Sequence, residues 1–262
     1  MHKNVNAGTV RVEIAGGIGT IEFFHPKGNS LPGVLLRTLA MEVEKMGSND
    51  DARVIVLQSG GSGPFCAGAS FDELVSIDSE ERGQEFFSGF ASVILAMIRA
   101  PKFVVTRVQG KAAGGAVGVV AASDFSIATK AASAKLSELT IGIGPFVVGP
   151  VIQQKIGLAA FSAMAVDADW RDAEWCERHG LYSRLVDDTA SLNASVAMLA
   201  ATLATSNPDA IAELKRAFWA GTEDWASLLS ARAALSGRMV LSEFTRNAIA
   251  KFRQESGAKG KS

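Results

Sequence analysis

The chain has 262 residues, 48% hydrophobic and 20% charged, enough for one substantial core with a smaller helical appendage. A formal charge of -1 gives neither a basic footprint for nucleic acid nor an acidic tail, and no apolar run is long enough to span a membrane. The opening Met1-His2-Lys3-Asn4-Val5-Asn6 lacks the apolar segment of a secretory signal, and two cysteines, Cys66 and Cys176, form neither a disulfide framework nor a zinc set, so a reduced, cytoplasmic setting is expected.

Val10, Val12 and Ile14 alternate with polar residues, Gly16-Gly17 intervenes, and alternation resumes at Ile18, which predicts a β-hairpin ending near Phe24. Val34, Leu35, Leu39, Val43 and Met46 have helical spacing over residues 32–46, with Ser30 as the expected N-cap. Residues 53–57 read as a buried strand, 80–98 as a helix with a phenylalanine-rich face, and 103–108 as the next strand. A helix over 114–122 and short strands over 124–128 and 134–136 follow. Beyond Gly144 the chain turns mainly helical: 147–156, 158–166, 172–179 closed by Gly180, a return strand over 181–186, then 192–205, 208–220 and 224–252. Asn207-Pro208 is a helix start, Asn193-Ala194-Ser195 reads as a polar triplet, and residues 257–262 are expected to fray. Strand and helix alternation in the first two-thirds argues for an α/β layered domain, although periodicity does not separate a doubly wound sheet from other layered windings. Residues 1–200 are assigned to the core and 201–262 to a C-terminal helical region.

Two glycine-rich turns stand out. Phe65-Cys66-Ala67-Gly68-Ala69-Ser70 follows the strand run Val54-Ile55-Val56-Leu57, and Gly110-Lys111-Ala112-Ala113-Gly114-Gly115-Ala116 follows Phe103-Val104-Val105. Small side chains leave backbone N–H groups accessible, and two that converge can hold an oxygen that becomes negative during reaction. Both turns resemble signatures of the crotonase superfamily, the enoyl-CoA hydratases and isomerases. Phe65 to Ala69 match F-C/A-A-G-A-D, with Ser70 in place of Asp; Gly110, Ala112, Gly114 and Gly115 match N-G-x-A-x-G-G-G, with Gln109 and Ala116 as departures. His25-Pro26-Lys27-Gly28-Asn29-Ser30-Leu31 is similar to the family's R-P-x-x-x-N-A-L turn near the CoA. Ser137-Glu138-Leu139-Thr140-Ile141-Gly142-Ile143-Gly144-Pro145 is similar to P-E-x-x-x-G-x-x-P. The resemblance is close over residues 8–190 and loose over the helical tail.

It implies a spiral of ββα units, an acyl-CoA substrate, no cofactor beyond the CoA of that substrate, no metal, no nucleic-acid or membrane partner, and a homotrimer or homohexamer. It also implies roles. The N–H groups of Ala69 and Gly115 become the oxyanion donors, the latter at a helix start whose first amides lack intrahelical partners. Glu138 becomes the general acid and base; its apolar neighbours Leu136 and Leu139 favour a raised pKa. Ala67, Gly68 and Gly114 lie along the CoA and acyl path, Lys27 meets a phosphate, and Pro145 with Phe146 walls the acyl pocket. Gly118 stands where hydratases of the family commonly carry a second glutamate, which leaves a 1,3-proton shift intact and room for a bulkier acyl group; Asp72 and Glu73 are the alternative carboxylates. Cys66 reads as a packing residue, and His25 and His179 as surface or turn residues. Trp170, Trp175, Trp219 and Trp225 read as packing or interface residues. Ala15-Gly16-Gly17-Ile18-Gly19-Thr20 fails the dinucleotide spacing, Gly60-Gly61-Ser62-Gly63 is off register for a serine hydrolase, and Gly110-Lys111 lacks a P-loop's upstream glycine. The remaining rival is a non-catalytic protein that binds acyl-CoA or RNA on the same fold.

Overall fold

The structure, a computed structural model, describes residues 8–259. β1 (Thr9–Ala15) and β2 (Ile18–Phe24) form the hairpin, turning through Gly16 and Gly17 at φ 57° and 80°. The chain then winds through α1 (Gly33–Ser48), β3 (Val54–Ser59), α2 (Phe71–Ser76) and α3 (Glu80–Arg99). A third turn contains β4 (Val104–Val108), the two-residue β5 (Ala112–Ala113) and α4 (Gly115–Ala121). A fourth contains β6 (Phe125–Thr129), β7 (Ser133–Lys135) and a 3-10 turn, Glu138–Ile141. α5 (Gly149–Asp167), β8 (Arg171–Asp172), α6 (Ala173–Arg178) and β9 (Arg184–Val186) follow, then α7 (Thr189–Ala204), α8 (Pro208–Phe218), α9 (Trp225–Val240) and α10 (Glu243–Lys259).

The larger sheet has the order β1-β2-β3-β4-β6-β9, parallel except for the hairpin. A second wall stacks the other side of each turn: Leu31 bridges Ala69, Cys66 bridges Ala112, and β5 pairs with β7, all parallel. That stacking is the spiral that the family resemblance implies. β3 is apolar on both faces because both are covered. Leu35, Leu36 and Leu39 of α1 join Ile55 and Leu57 in the main core, while Leu192, Val196 and Ala200 of α7 pack on Val54, Val56 and Val105.

Several local expectations change, and one, in α5, holds. Ser30 does not cap α1: its hydroxyl meets His25 Nδ1 at 3.0 Å, and the Gly33 amide instead donates to Glu73 Oε2 at 2.7 Å. α2 has only six residues, too few to show a period, and Ser70 caps it. α5 contains the expected interruption, at Gly157 (φ 78°, ψ 161°). The helix expected over 224–252 is two helices, parted at Leu241 and Ser242. Residues 257–259 continue α10, and the remaining residues of the expected frayed end, 260–262, lie outside the described residues, as does the opening segment, 1–7.

The C-terminal helices are fastened to their own core. Lys215 of α8 is 2% exposed and pairs with Asp124, which also accepts the Val104 amide at 2.7 Å and Trp219 Nε1 at 3.3 Å. α9 lies against α3 where two glycines meet: a Cβ on Gly83 would come within 2.7 Å of the Gly237 Cα. Among the described residues no helix is long and apolar enough to cross a membrane.

Candidate active site

The two glycine-rich turns are stitched together by their backbones. The Cys66 amide donates to the Lys111 carbonyl at 3.1 Å, and the Ala113 amide returns to the Cys66 carbonyl at 3.0 Å. Gly68 has φ 90°, and a Cβ there would stand 2.6 Å from the Ala113 carbonyl oxygen, so only glycine allows this approach. Gly114 (φ 54°) donates to the Lys135 carbonyl at 2.8 Å and so ties the second turn to β7, the strand that leads into Glu138. A Cβ on Gly114 would lie 3.3 Å from Glu138 Oε1. The carboxyl group therefore rests against the bare backbone of the second turn. Among the described residues, the amides of Ala69 and Gly115 donate to no protein group.

These groups share one cavity of about 310 Å³, lined by Ala67, Gly68, Ala69, Gly114, Gly115 and Glu138 together with Pro145 and aromatic rings that include Phe90 and Phe146. Glu138 is its only titratable lining group among the described residues. Glu138 Oε2 is buried without a hydrogen-bond partner. Burial pushes the carboxyl up to about 7, against the smaller opposing effect of the backbone amides at Glu138 and Ser137. A carboxyl group poised near neutrality in an apolar cavity can take a proton and return it. Oxyanion donors on the same cavity would stabilise the charge that such a transfer creates.

Of the residues singled out from the sequence, Glu138, Ala67, Gly68, Ala69, Gly114, Gly115 and Pro145 come together here. Gly118 does not line the cavity: a Cβ on it would meet Val148 Cγ1 at 2.5 Å, so Val148 fills the space left by the missing side chain. The room for a bulkier acyl group expected from Gly118 is thus already occupied. Lys27 lies outside as well, in a neighbouring depression with His25 and Glu73, and pairs with Asp72. Asp72 is therefore engaged at the surface and Glu73 caps α1, and neither lines the cavity. His25 is not a surface residue; it is 5% exposed, with its ring against the Ser30 hydroxyl and the Lys27 amide. His179 is half-buried and stacked on Trp175. Cys66 is buried, and burial lifts its thiol to about 12, which leaves it a packing residue at neutral pH.

The family profile described as enoyl-CoA hydratase/isomerase matches residues 13–255. The chain belongs to this family. Its relatives include the mitochondrial methylglutaconyl-CoA hydratase of Rattus norvegicus, 29% identical over 160 residues, a stretch covering 61% of this chain and 50% of that protein. The carnitinyl-CoA dehydratase of Citrobacter koseri is 28% identical over 209 residues, 79% of each chain. Among solved structures, the enoyl-CoA hydratase from Bacillus halodurans superposes with a TM-score of 0.86 at 20% identity, covering 92% of this chain and 99% of that one. That likeness establishes the crotonase fold.

Two supports of this family site have anchoring roles that no local pattern in the sequence reveals, although Asn29 falls within the first family block. Asn29, at φ 57°, donates to the Gly60 and Pro64 carbonyls at 2.9 and 3.0 Å. Gln109, read as a departure from the family signature, donates to Ser59 Oγ at 2.8 Å and reaches the Pro64 carbonyl at 3.4 Å. Together they anchor the loop that delivers the first turn. Chemistry-bearing residue types at family spacing marked the site itself; its anchors are ordinary amides whose partners lie 31 to 50 residues away.

Proposed function

We propose that the protein binds an acyl-CoA thioester and moves a proton at the carbon next to the thioester carbonyl, with double-bond isomerisation favoured over hydration. The observation that carries this reading is Glu138: one carboxyl, pushed up to about 7, with a buried unpartnered oxygen, set against Gly114 of the second turn. The thioester oxygen accepts from the Ala69 and Gly115 amides. The Glu138 carboxylate removes a proton from C2 of a 3-enoyl thioester, and the electron pair delocalises onto that oxygen as a dienolate. The carboxylic acid then returns the proton to C4, leaving a 2-enoyl thioester and a regenerated carboxylate. One acid/base group suffices for this cycle. Hydration asks the same group both to activate water and to protonate the α-carbon.

Hydration is the second reading, favoured by the relatives' names of hydratase and dehydratase. Incubation with paired 2-enoyl- and 3-enoyl-CoA substrates in deuterated water, followed by mass spectrometry, separates the two. Faster double-bond migration than water addition is expected; crotonyl-CoA hydrated faster than any 3-enoyl-CoA is isomerised would overturn it. Binding of thioesters with no deuterium uptake would instead favour a non-catalytic binder. The same reading gives Ala67 and Gly68 a place beside the CoA and Lys27 a phosphate contact. It also takes the chain as a cytoplasmic homotrimer or homohexamer, with residues 1–200 as core and 201–262 at subunit contacts.

A further inference from the structure

We propose that Val148 decides the reaction outcome by occupying the place from which a second acid/base group would serve Glu138, a role that rests on the acyl-CoA reading above. Position 118 follows Gly114 by four residues and Gly115 by three, so it shares their face of α4. That face begins at the catalytic carboxyl, where a Cβ on Gly114 would lie 3.3 Å from Glu138 Oε1. One turn along, a Cβ on Gly118 would meet Val148 Cγ1 at 2.5 Å and Cβ at 2.6 Å. Val148 also lines the cavity and is 4% exposed. These two atoms belong to a β-branched side chain with little χ1 freedom, so Val148 cannot swing aside as the end of a lysine would. Its backbone is held too: the Val148 carbonyl accepts the Ile152 amide at 3.1 Å, and the next residue, Gly149, donates to the Pro145 carbonyl at 2.7 Å.

Beyond Gly114 and Gly115, this face of α4 is therefore covered by the Val148 side chain, which lines the same cavity as Glu138, and Gly118 and Val148 act as one unit. A glycine at 118 alone would leave space for water; with Val148 lodged against it, that space is filled. A water molecule reaching the thioester finds one carboxyl and no second base on this face. Val148 is thus a specificity-determining residue that favours return of the abstracted proton to carbon.

Four proteins test this: the wild type, Gly118→Glu, Gly118→Glu/Val148→Gly and Val148→Asp, the last placing a carboxylate at the plug itself. For each, the readouts are the thermal midpoint, binding of the saturated probe butyryl-CoA, and the ratio of crotonyl-CoA hydration to α-proton exchange. Gly118→Glu should lower the midpoint by about 5 °C, the scale of overpacking a chain of this size, without raising the ratio. The double variant should recover at least half of that loss. It and Val148→Asp should raise the ratio by about 10-fold or more, the low end of what a general base contributes. A wild-type midpoint for Gly118→Glu would show that Val148 does not block position 118. A wild-type ratio in either carboxylate variant that still binds butyryl-CoA would equally overturn the proposal. A different result, wild type exchanging no α-proton with any thioester, would remove the acyl-CoA reading itself and the reaction role with it, while the midpoints would still report the contact.

Discussion

Glu138 is held in a state that suits chemistry and costs stability. Its carboxyl titrates at about 7 instead of the ordinary 4.5 because burial penalises the charged form. Proton abstraction needs the carboxylate, so kcat/KM for α-proton exchange should rise with pH through about 7 and level off above it; a flat profile from pH 5 to 8 would place the base elsewhere. The same shift has a stability consequence. Between 4.5 and about 7 the folded protein retains a proton that the unfolded chain has released, so stability falls as pH rises through that window. Above the window the buried carboxylate costs on the order of 3 kcal/mol. Glu138→Gln should therefore lower turnover by about 100-fold or more while preserving butyryl-CoA binding. In urea titrations it should be more stable than wild type at pH 8 and no more stable at pH 4. Equal stability at both pH values would contradict the assigned burial.

Among the elements, the contact between the two turns is the most exacting. Gly68→Ala sets a Cβ 2.6 Å from the Ala113 carbonyl oxygen at a φ of 90°, and should cost on the order of 1–3 kcal/mol in strain and displacement, with loss of turnover. Gly16→Ala supplies the control, since Gly16 also has positive φ but nothing lies within 4 Å of its added Cβ. Its loss should be the smaller, of order 1 kcal/mol, with turnover kept; equal losses in denaturant titrations would mean that the approach of the turns is not close. α8 depends on a different device. Lys215→Met removes the paired cation from buried Asp124 and leaves it the Val104 amide and the more distant charge of Lys155, so the loss should approach the roughly 3–5 kcal/mol of breaking a buried pair. A change under about 1 kcal/mol in urea midpoint analysis would show that the pair is solvated, as surface pairs are.

At the scale of the molecule, the spiral places residues from three successive turns around one cavity, and the C-terminal helices close over it. Ser236 of α9 lines the cavity, and the start of α10 packs on the turn that carries Glu138, where a Cβ on Gly142 would meet Phe244 and Thr245. The tail is thus folded onto its own core and does not extend as one long arm. What remains available for a neighbour is the exposed apolar surface, including Leu158 and Val166 on the second half of α5 and Phe244 on α10, exposed by 63%, 74% and 68%. Assembly through such faces is expected to give three or six chain masses by static light scattering at micromolar concentration. A monomer mass would refute the assembly and leave the cavity's chemistry standing.

Strand and helix alternation, the helix break at Gly157, the two glycine-rich turns and the carboxylate at 138 were all readable in the sequence, because each rests on spacing within a few residues. The ordered blocks also gave the family and, through it, the spiral, which periodicity alone left open. Tertiary structure decided the rest. Glycine 118 has no side chain, so its own identity says nothing about what fills the space beside it; Val148, thirty residues on, does. Ser30 has the composition of a cap, yet Glu73 supplies the acceptor to α1 from across the turn. Lys27 has the look of a free cation, yet Asp72 sits against it. Even the pKa of Glu138, whose direction follows from its apolar neighbours in sequence, takes its size from every group that the fold packs around it, since desolvation is a sum over space and not over chain position.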